Sequence, residues 1–205
     1  MNLEQIFENV CSRFSKNKVL HKTLWMEIEL AYTGRDRHYH NMEHLQSLYQ
    51  ELEACKAEVA GENAVMFSLF YHDIVYKSTS KSNEEKSAEL ASKRLQTLSL
   101  PAPLINQVYQ YILATKGHEV SDSHDCNLFT DADLSILGRP WDEYVNYLEQ
   151  VRAEYSIYPN FLYRPGRKKV LHHFLDMPRI YKTDFFFSRY EIQARENLQK
   201  ELMAF

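Results

Sequence analysis

One run limits the architecture of this chain more than any other: Met66-Phe67-Ser68-Leu69-Phe70-Tyr71-His72-Asp73-Ile74-Val75-Tyr76. Apolar side chains occupy nearly every side of it. As a helix it therefore has no face suited to water and belongs in the middle of a core. Yet an imidazole and a carboxylate sit next to each other near its end. Burying one unpartnered polar group costs ~2–7 kcal/mol, and burying a charge costs more. A hydrogen-bond network or a bound cation removes that cost. The run reads as a core helix over 62–76 that delivers two candidate metal ligands, His72 and Asp73.

The rest of the chain reads as helices packed around that one. Leu3, Ile6, Phe7, Val10 and Phe14 recur at helical spacing, and a second helix fits 19–33. Asn41 is a good N-cap for a helix reaching Glu58, which puts His40 just before it and His44 in its first turn. Ser82-Asn83-Glu84-Glu85 reads as a capping box opening a helix to Leu98. Pro101 and Pro103 start the next helix, which ends at Gly117. Residues 118–125 are polar and aperiodic, hence a loop, and 128–137 is a short apolar segment. Pro140 suits the first position of a helix running to Tyr155. A helix near 161–176 stops at Pro178, and Ser188-Arg189-Tyr190-Glu191 reads as a second capping box opening a final helix to Met203. Period-two strand patterns are absent. With 205 residues, 44% of them hydrophobic, the chain suits one core, since cores stop growing at roughly 250–300 residues. The expected fold is all-α: a single domain over 1–205, a bundle of about ten helices, with a metal-site core at about 35–140.

Three elements carry chemistry. The first is His72-Asp73. The second is Tyr39-His40-Asn41-xx-His44, whose histidines four apart can face one point; alone, they read equally as capping or surface residues. The third is Thr130-Asp131-Ala132-Asp133-Leu134, which alone reads as an N-cap threonine followed by first-turn acids. A further pair, His124-Asp125, lies in polar sequence and reads as solvated loop. Taken together, nitrogens from His44 and His72 and oxygens from Asp73 and Asp133 make a mixed set. It suits Mn, Fe, Co, Ni or Mg better than a closed tetrahedral Zn site. Such an ion lowers the pKa of water and neutralises phosphate oxygens.

The ordered set His44, His72-Asp73, Asp133 resembles the HD superfamily of metal-dependent phosphohydrolases. The Tyr-His-Asn-xx-His and Ala-Asp-Leu segments are similar to those of cyclic-nucleotide phosphodiesterases, a branch of the same fold. The stretch 83–88 and Glu191-xx-Ala194-Arg195-x-Asn197-Leu198 resemble a small group of uncharacterised members of similar length, so the likeness runs from about residue 30 to 202. The resemblance implies that His44, His72, Asp73 and Asp133 bind a divalent metal, with Asp73 bridging in dinuclear members. It implies that His40 protonates the leaving oxygen, as an imidazole titrating near ~6.5 can. It also places His118 and His124 in the interval where multi-ligand members carry further histidines, so one or two ions are expected, with His118 a second-metal candidate. The purine-clamping glutamine segment of the signalling phosphodiesterases has no counterpart here. The lysine of the cyclic-di-nucleotide branch comes three residues after the Asp; here Lys77 is four after Asp73.

The expected function is hydrolysis of phosphate esters, mono- or di-, of a nucleotide or similar small metabolite. Lys77 and Arg37 are candidate phosphate contacts, with Arg35, Lys116 and Arg167 weaker ones. The rivals are a di-iron oxygenase of the same fold, which needs roughly six ligands and hence both His118 and His124, and a non-catalytic nucleotide sensor. A net charge of −4 and no dominant basic block argue against nucleic acid as a partner; a homodimer stays open. Cys11, Cys55 and Cys126 form no CxxC pair and fit free thiols. No apolar run approaches ~18 residues and no signal-peptide pattern opens the chain, so a cytoplasmic, non-membrane protein is expected. Phe185-Phe186-Phe187 reads as core rather than a partner patch.

Overall fold

A computed structural model describes residues 2–204. Among them are ten α-helices and no strand, as the spacing predicts. In chain order these are α1 (Leu3–Ser12), α2 (Lys18–Tyr32), α3 (Met42–Ala54), α4 (Glu62–Tyr71), α5 (Asn83–Thr97), α6 (Ala102–Ala114), α7 (His124–Asp133), α8 (Trp141–Glu154), α9 (Asn160–Asp176) and α10 (Asp184–Met203). Short 3-10 turns lie at Lys56–Glu58 and Leu134–Gly138. No helix among the described residues is long and apolar enough to cross a membrane.

Helix α4 is the centre. Every residue from 64 to 71 is buried, and the helix packs against α1, α3, α5, α6 and α7. Phe70 meets the edge of Phe7 at 5.1 Å between ring centroids and Trp25 at 6.2 Å. Each such side chain contributes about 1.5–3 kcal/mol when fully withdrawn from water. α3 and α7 pack on each other and on α4, which gathers the three chemistry-bearing segments into one region. α10 lies across α7, α9 and the 134–138 turn, tied there by Asn197, whose amide donates to the carbonyls of Leu137 and Arg139.

Several boundaries depart from expectation. α4 stops at Tyr71 rather than 76, with His72 as its C-cap. α3 stops at Ala54. Neither capping box forms. Glu85 pairs with Lys116 instead of its own helix end. Glu191 is buried and accepts the amides of Ile180 and Tyr181 and the Arg195 guanidinium, while α10 begins at Asp184, ahead of Ser188. Pro140 is the residue before α8, not its first. α7 begins inside the expected 118–125 loop, capped by the Ser123 hydroxyl on the Cys126 amide. Thr130 therefore lies in mid-helix, donating to the Cys126 carbonyl, and Asp131 and Asp133 fall in the last turn, not the first. Of the three phenylalanines, Phe186 is fully buried, whereas Arg179 and Arg189 lie over the rings of Phe187 and Phe185.

Candidate metal centre

Local structure places each side chain before any ion is considered. The Asn41 side chain accepts the amides of Glu43 and His44 at 2.8 and 3.2 Å, starting α3 with His44 in its first turn. His72 donates its amide to the Ser68 carbonyl at 2.9 Å and closes α4. Its Nδ1 lies 2.9 Å from the Leu69 carbonyl. A carbonyl can only accept, so Nδ1 carries a proton, and Nε2 is the atom left to face the cluster. Asp73 follows as the chain leaves the helix. Asp133 comes from the last residue of α7.

These groups converge. His44 Nε2 is 3.1 Å from His72 Nε2 and 3.2 Å from Asp133 Oδ1. His72 Nε2 is 3.1 Å from Asp73 Oδ2 and 3.6 Å from Asp133 Oδ1, and His44 Nε2 is 4.0 Å from Asp73 Oδ2. Around an ion with bonds of ~2.1 Å, ligand atoms stand ~3.0 Å apart at a right angle and ~3.4 Å apart at the tetrahedral angle. Buried His44 and His72 and half-buried Asp133 form a group able to hold a metal ion, and Asp73 lies beside it, in closer reach of His72 than of His44.

The electrostatics agree with a charge-hungry site. Burial opposes charging His72, but the Asp73 and Asp133 carboxylates outweigh it and carry the imidazole up to about 9. Burial would raise both carboxyls, yet the neighbouring imidazoles hold Asp73 and Asp133 below the usual carboxylate range.

No family model matches this chain, and searches of curated proteins and of solved structures return no match.

His40 stands beside the cluster, its Nε2 3.9 Å from Asp73 Oδ2. Its Nδ1 lies 2.7 Å from Glu154 Oε2. Glu154 also accepts the amides of Tyr39 and His40 at 2.8 and 2.9 Å and the Tyr76 hydroxyl at 2.9 Å. Burial would raise this carboxyl, but the His40 contact and the two amides pull it down to about 2. Burial likewise opposes charging His40, and the Asp73 and Glu154 carboxylates outweigh that and raise its pKa. Tyr76 stacks on the His40 ring at 4.2 Å. Glu154 was not singled out from the sequence. One signal could have found it: Tyr144, Tyr147, Val151 and Glu154 recur at helical spacing, so a carboxylate ends the inward face of α8.

The other candidates divide. His118, at φ 52°, sets Nδ1 3.3 Å from the Thr130 carbonyl and Nε2 3.7 Å from Asp133 Oδ2, on the oxygen away from His44; burial drives its pKa down to about 4. His124 is not brought to the cluster; its exposed ring lies 3.5 Å from Glu58. Arg37 is a brace and not a phosphate contact. Its guanidinium donates to the carbonyls of His40, Asp73 and Ile74 and lies over the rings of Tyr32 and Tyr76. Lys77 is exposed and lies outside the cavity lining, and Arg35 is exposed as well. Lys116 pairs with Glu85.

The cluster opens into a cavity of about 520 Å³, bounded on the metal side by His40, Asp73, Asp133 and His118. Glu84, Tyr76, Tyr147, Tyr155 and residues of α9 form its other walls. A second, smaller cavity of about 340 Å³ reaches His44 and Asp133 from behind Tyr39 and Tyr147.

Proposed function

We propose that the chain is a metal-dependent hydrolase of phosphate esters on the plan of the HD superfamily, acting on a nucleotide or another small phosphorylated metabolite. The observation that supports this reading is the juxtaposition of a four-residue ligand set with a buried carboxylate–imidazole pair, Glu154 and His40, at the end of a substrate-sized cavity. His44, His72, Asp73 and Asp133 would hold a divalent ion, of which Mn, Mg, Fe, Co and Ni suit the mixed nitrogen and oxygen set and Zn suits it less. Such an ion supplies Lewis acidity toward a phosphoryl oxygen and lowers the pKa of water.

The chain's own groups do the rest. Glu154 fixes the His40 ring through Nδ1, so Nε2 faces the cavity. From Nε2 the imidazolium gives a proton to the ester oxygen as its bond to phosphorus breaks. Asp73 orients the attacking water through its carboxylate. Arg37, by holding the His40 and Asp73 carbonyls at 3.1 and 2.7 Å, keeps these two residues at a fixed separation.

One observation favours a second ion: the lone pair of His118 Nε2 faces the outer oxygen of Asp133. The six-ligand oxygenase reading also needs His124, which lies beside Glu58.

The test is elemental analysis joined to a panel of phosphate esters. Purified protein is expected to carry a transition metal or Mg and to hydrolyse at least one ester. Asp73→Ala should lose both metal and activity; hydrolysis at the wild-type rate in that variant overturns the assignment. Glu154→Gln should keep its metal while kcat drops ~10–100-fold, because His40 loses its orienting charge. Metal loss in this variant would move Glu154 into the ligand set and sink the proton-donor role.

A further inference from the structure

The cavity away from the metal cluster has a composition of its own. α9 presents Leu162, Gly166 and Val170 to it, spaced one turn apart. Leu162 and Val170 remain 55% and 42% exposed, so the rest of the described chain covers this apolar face only in part. A methyl group added at Gly166 would meet nothing within 4 Å; the backbone there borders open space. Tyrosines line the same cavity, among them Tyr155, whose ring centroid lies 6.2 Å from that of Tyr158 and 6.0 Å from that of Tyr163, a residue of α9 that also carries the Arg152 guanidinium over its ring. Rings and aliphatic side chains bounding a slot favour a flat, weakly polar body, and base-on-tyrosine stacking is the common form of such recognition.

The charges restrict the other half of the ligand. Among the described residues lining the cavity, Arg167 is the single lysine or arginine. It is already engaged: Nε and Nη2 donate to the two Glu201 oxygens at 2.7 and 2.9 Å, and Nη1 to the Tyr147 hydroxyl at 3.3 Å. Three carboxylates, Asp73, Glu84 and Asp133, line the same space. A triphosphate or diphosphate brings several negative charges and needs unpaired guanidinium or ammonium groups along its length. None is offered here, so the phosphate that fits is one, at the cation.

We infer that the cavity takes the ester of a single phosphate with a planar aromatic partner, a nucleoside monophosphate by chemical class, its base lying on the Leu162–Gly166–Val170 face of α9. This rests on the phosphohydrolase reading above and narrows it: polyphosphates and aliphatic phosphates are excluded as good substrates.

The metal-loaded wild type is assayed on adenosine and cytidine monophosphates, glycerol phosphate and adenosine triphosphate. The better monophosphate is expected to exceed the other two classes by ~10-fold or more in kcat/KM, the scale of one stacked base. Gly166→Phe fills the slot from the wall; its ratio of nucleotide to glycerol phosphate activity should fall ~10-fold or more, while its helical circular dichroism and cooperative melt match the wild type. Val170→Ser, a milder loss of the same face, should lower the ratio by roughly 3-fold. Glycerol phosphate or the triphosphate hydrolysed as well as the monophosphates overturns the inference, and so does an unchanged ratio in both variants. If no ester is hydrolysed, the phosphohydrolase reading is what fails, and uncharged adenosine then decides the slot. It should quench tyrosine fluorescence in the wild type and not in Gly166→Phe, and absence of quenching overturns the inference.

Discussion

The dipeptide His-Asp occurs twice in this chain, and its two copies have opposite fates. At 72–73 it ends a helix. His72 closes α4 with its free nitrogen turned into the cluster, and the Asp73 carboxylate meets imidazoles at 3.1, 3.9 and 4.0 Å. At 124–125 it begins one. His124 is the exposed first residue of α7, and the buried Asp125 carboxylate accepts the amides of Ala60 and Gly61 at 2.9 and 2.6 Å. One carboxylate is satisfied by fixed backbone donors and stitches the turn before α4 to α7. The other faces the imidazoles of His40, His44 and His72, an arrangement that a cation held by His44 and His72 would complete. The same two residue types thus stand as candidate ligands or as a clasp, according to which end of a helix they occupy and what the neighbouring backbone offers.

Replacing the two carboxylates separately gives the largest effect. Asp73→Asn is expected to weaken metal binding by at least ~100-fold, read by titration with Mn or Co, with little loss of helical content. Asp125→Ala should do the reverse. It leaves two buried amides without a charged acceptor and costs roughly 2–4 kcal/mol in urea unfolding, while the metal titration stays as in the wild type. Metal loss in Asp125→Ala with a normal Asp73→Asn would invert the comparison.

The helices were legible because apolar spacing is a local property; α1, α2, α6 and the ends of α9 follow it closely. The grouping of His44, His72 and Asp133 was legible only in part: His72 stood where burial needed a reason, whereas His44 and Asp133, taken alone, read as a capping or surface residue and a first-turn acid. What sequence could not show was who meets whom across the fold. Glu85 and Glu191 both stand three residues after a serine, the pattern of a cap, and both are drawn to distant donors instead: Lys116 for one, the Ile180 and Tyr181 amides for the other. Arg37 looked like a phosphate contact because a guanidinium near a candidate metal site can be one; three carbonyls around it decide otherwise. Glu154 lies 114 residues from His40, and only its place on the inward face of α8 hints at a role.

A smaller effect sharpens the clasp half of the comparison. A Cβ on Gly61 would stand 2.9 Å from Asp125 Oδ2, so Gly61→Ala pushes the carboxylate off the amides it serves and should cost about 1 kcal/mol after the entropy gain of alanine is counted. In the Asp125→Ala background the same change has nothing to push against, and should be neutral or stabilise by up to ~1 kcal/mol. Equal costs in both backgrounds would mean that Gly61 is required for its backbone and that the clasp is incidental.

The smallest expected effect belongs to His124, and it tests the comparison from the side where nothing should happen. Two weak terms act on this imidazole, with opposite signs. In its charged form it attracts Glu58, 3.5 Å away across exposed side chains, a pair worth at most ~0.5–1 kcal/mol in water. The same positive charge stands in the first turn of α7, where the helix dipole disfavours it by ~0.3–1 kcal/mol. The two nearly cancel, so His124→Ala should change stability by less than ~0.5 kcal/mol at any pH between 5 and 8 and leave metal content and affinity as they were. His72→Ala, by contrast, removes a candidate ligand whose other nitrogen is already committed to the Leu69 carbonyl, and should abolish metal binding. A fall in bound metal on removing His124 would mean that the 124–125 segment reaches the cluster in solution, and that position at a helix end does not separate ligand from clasp.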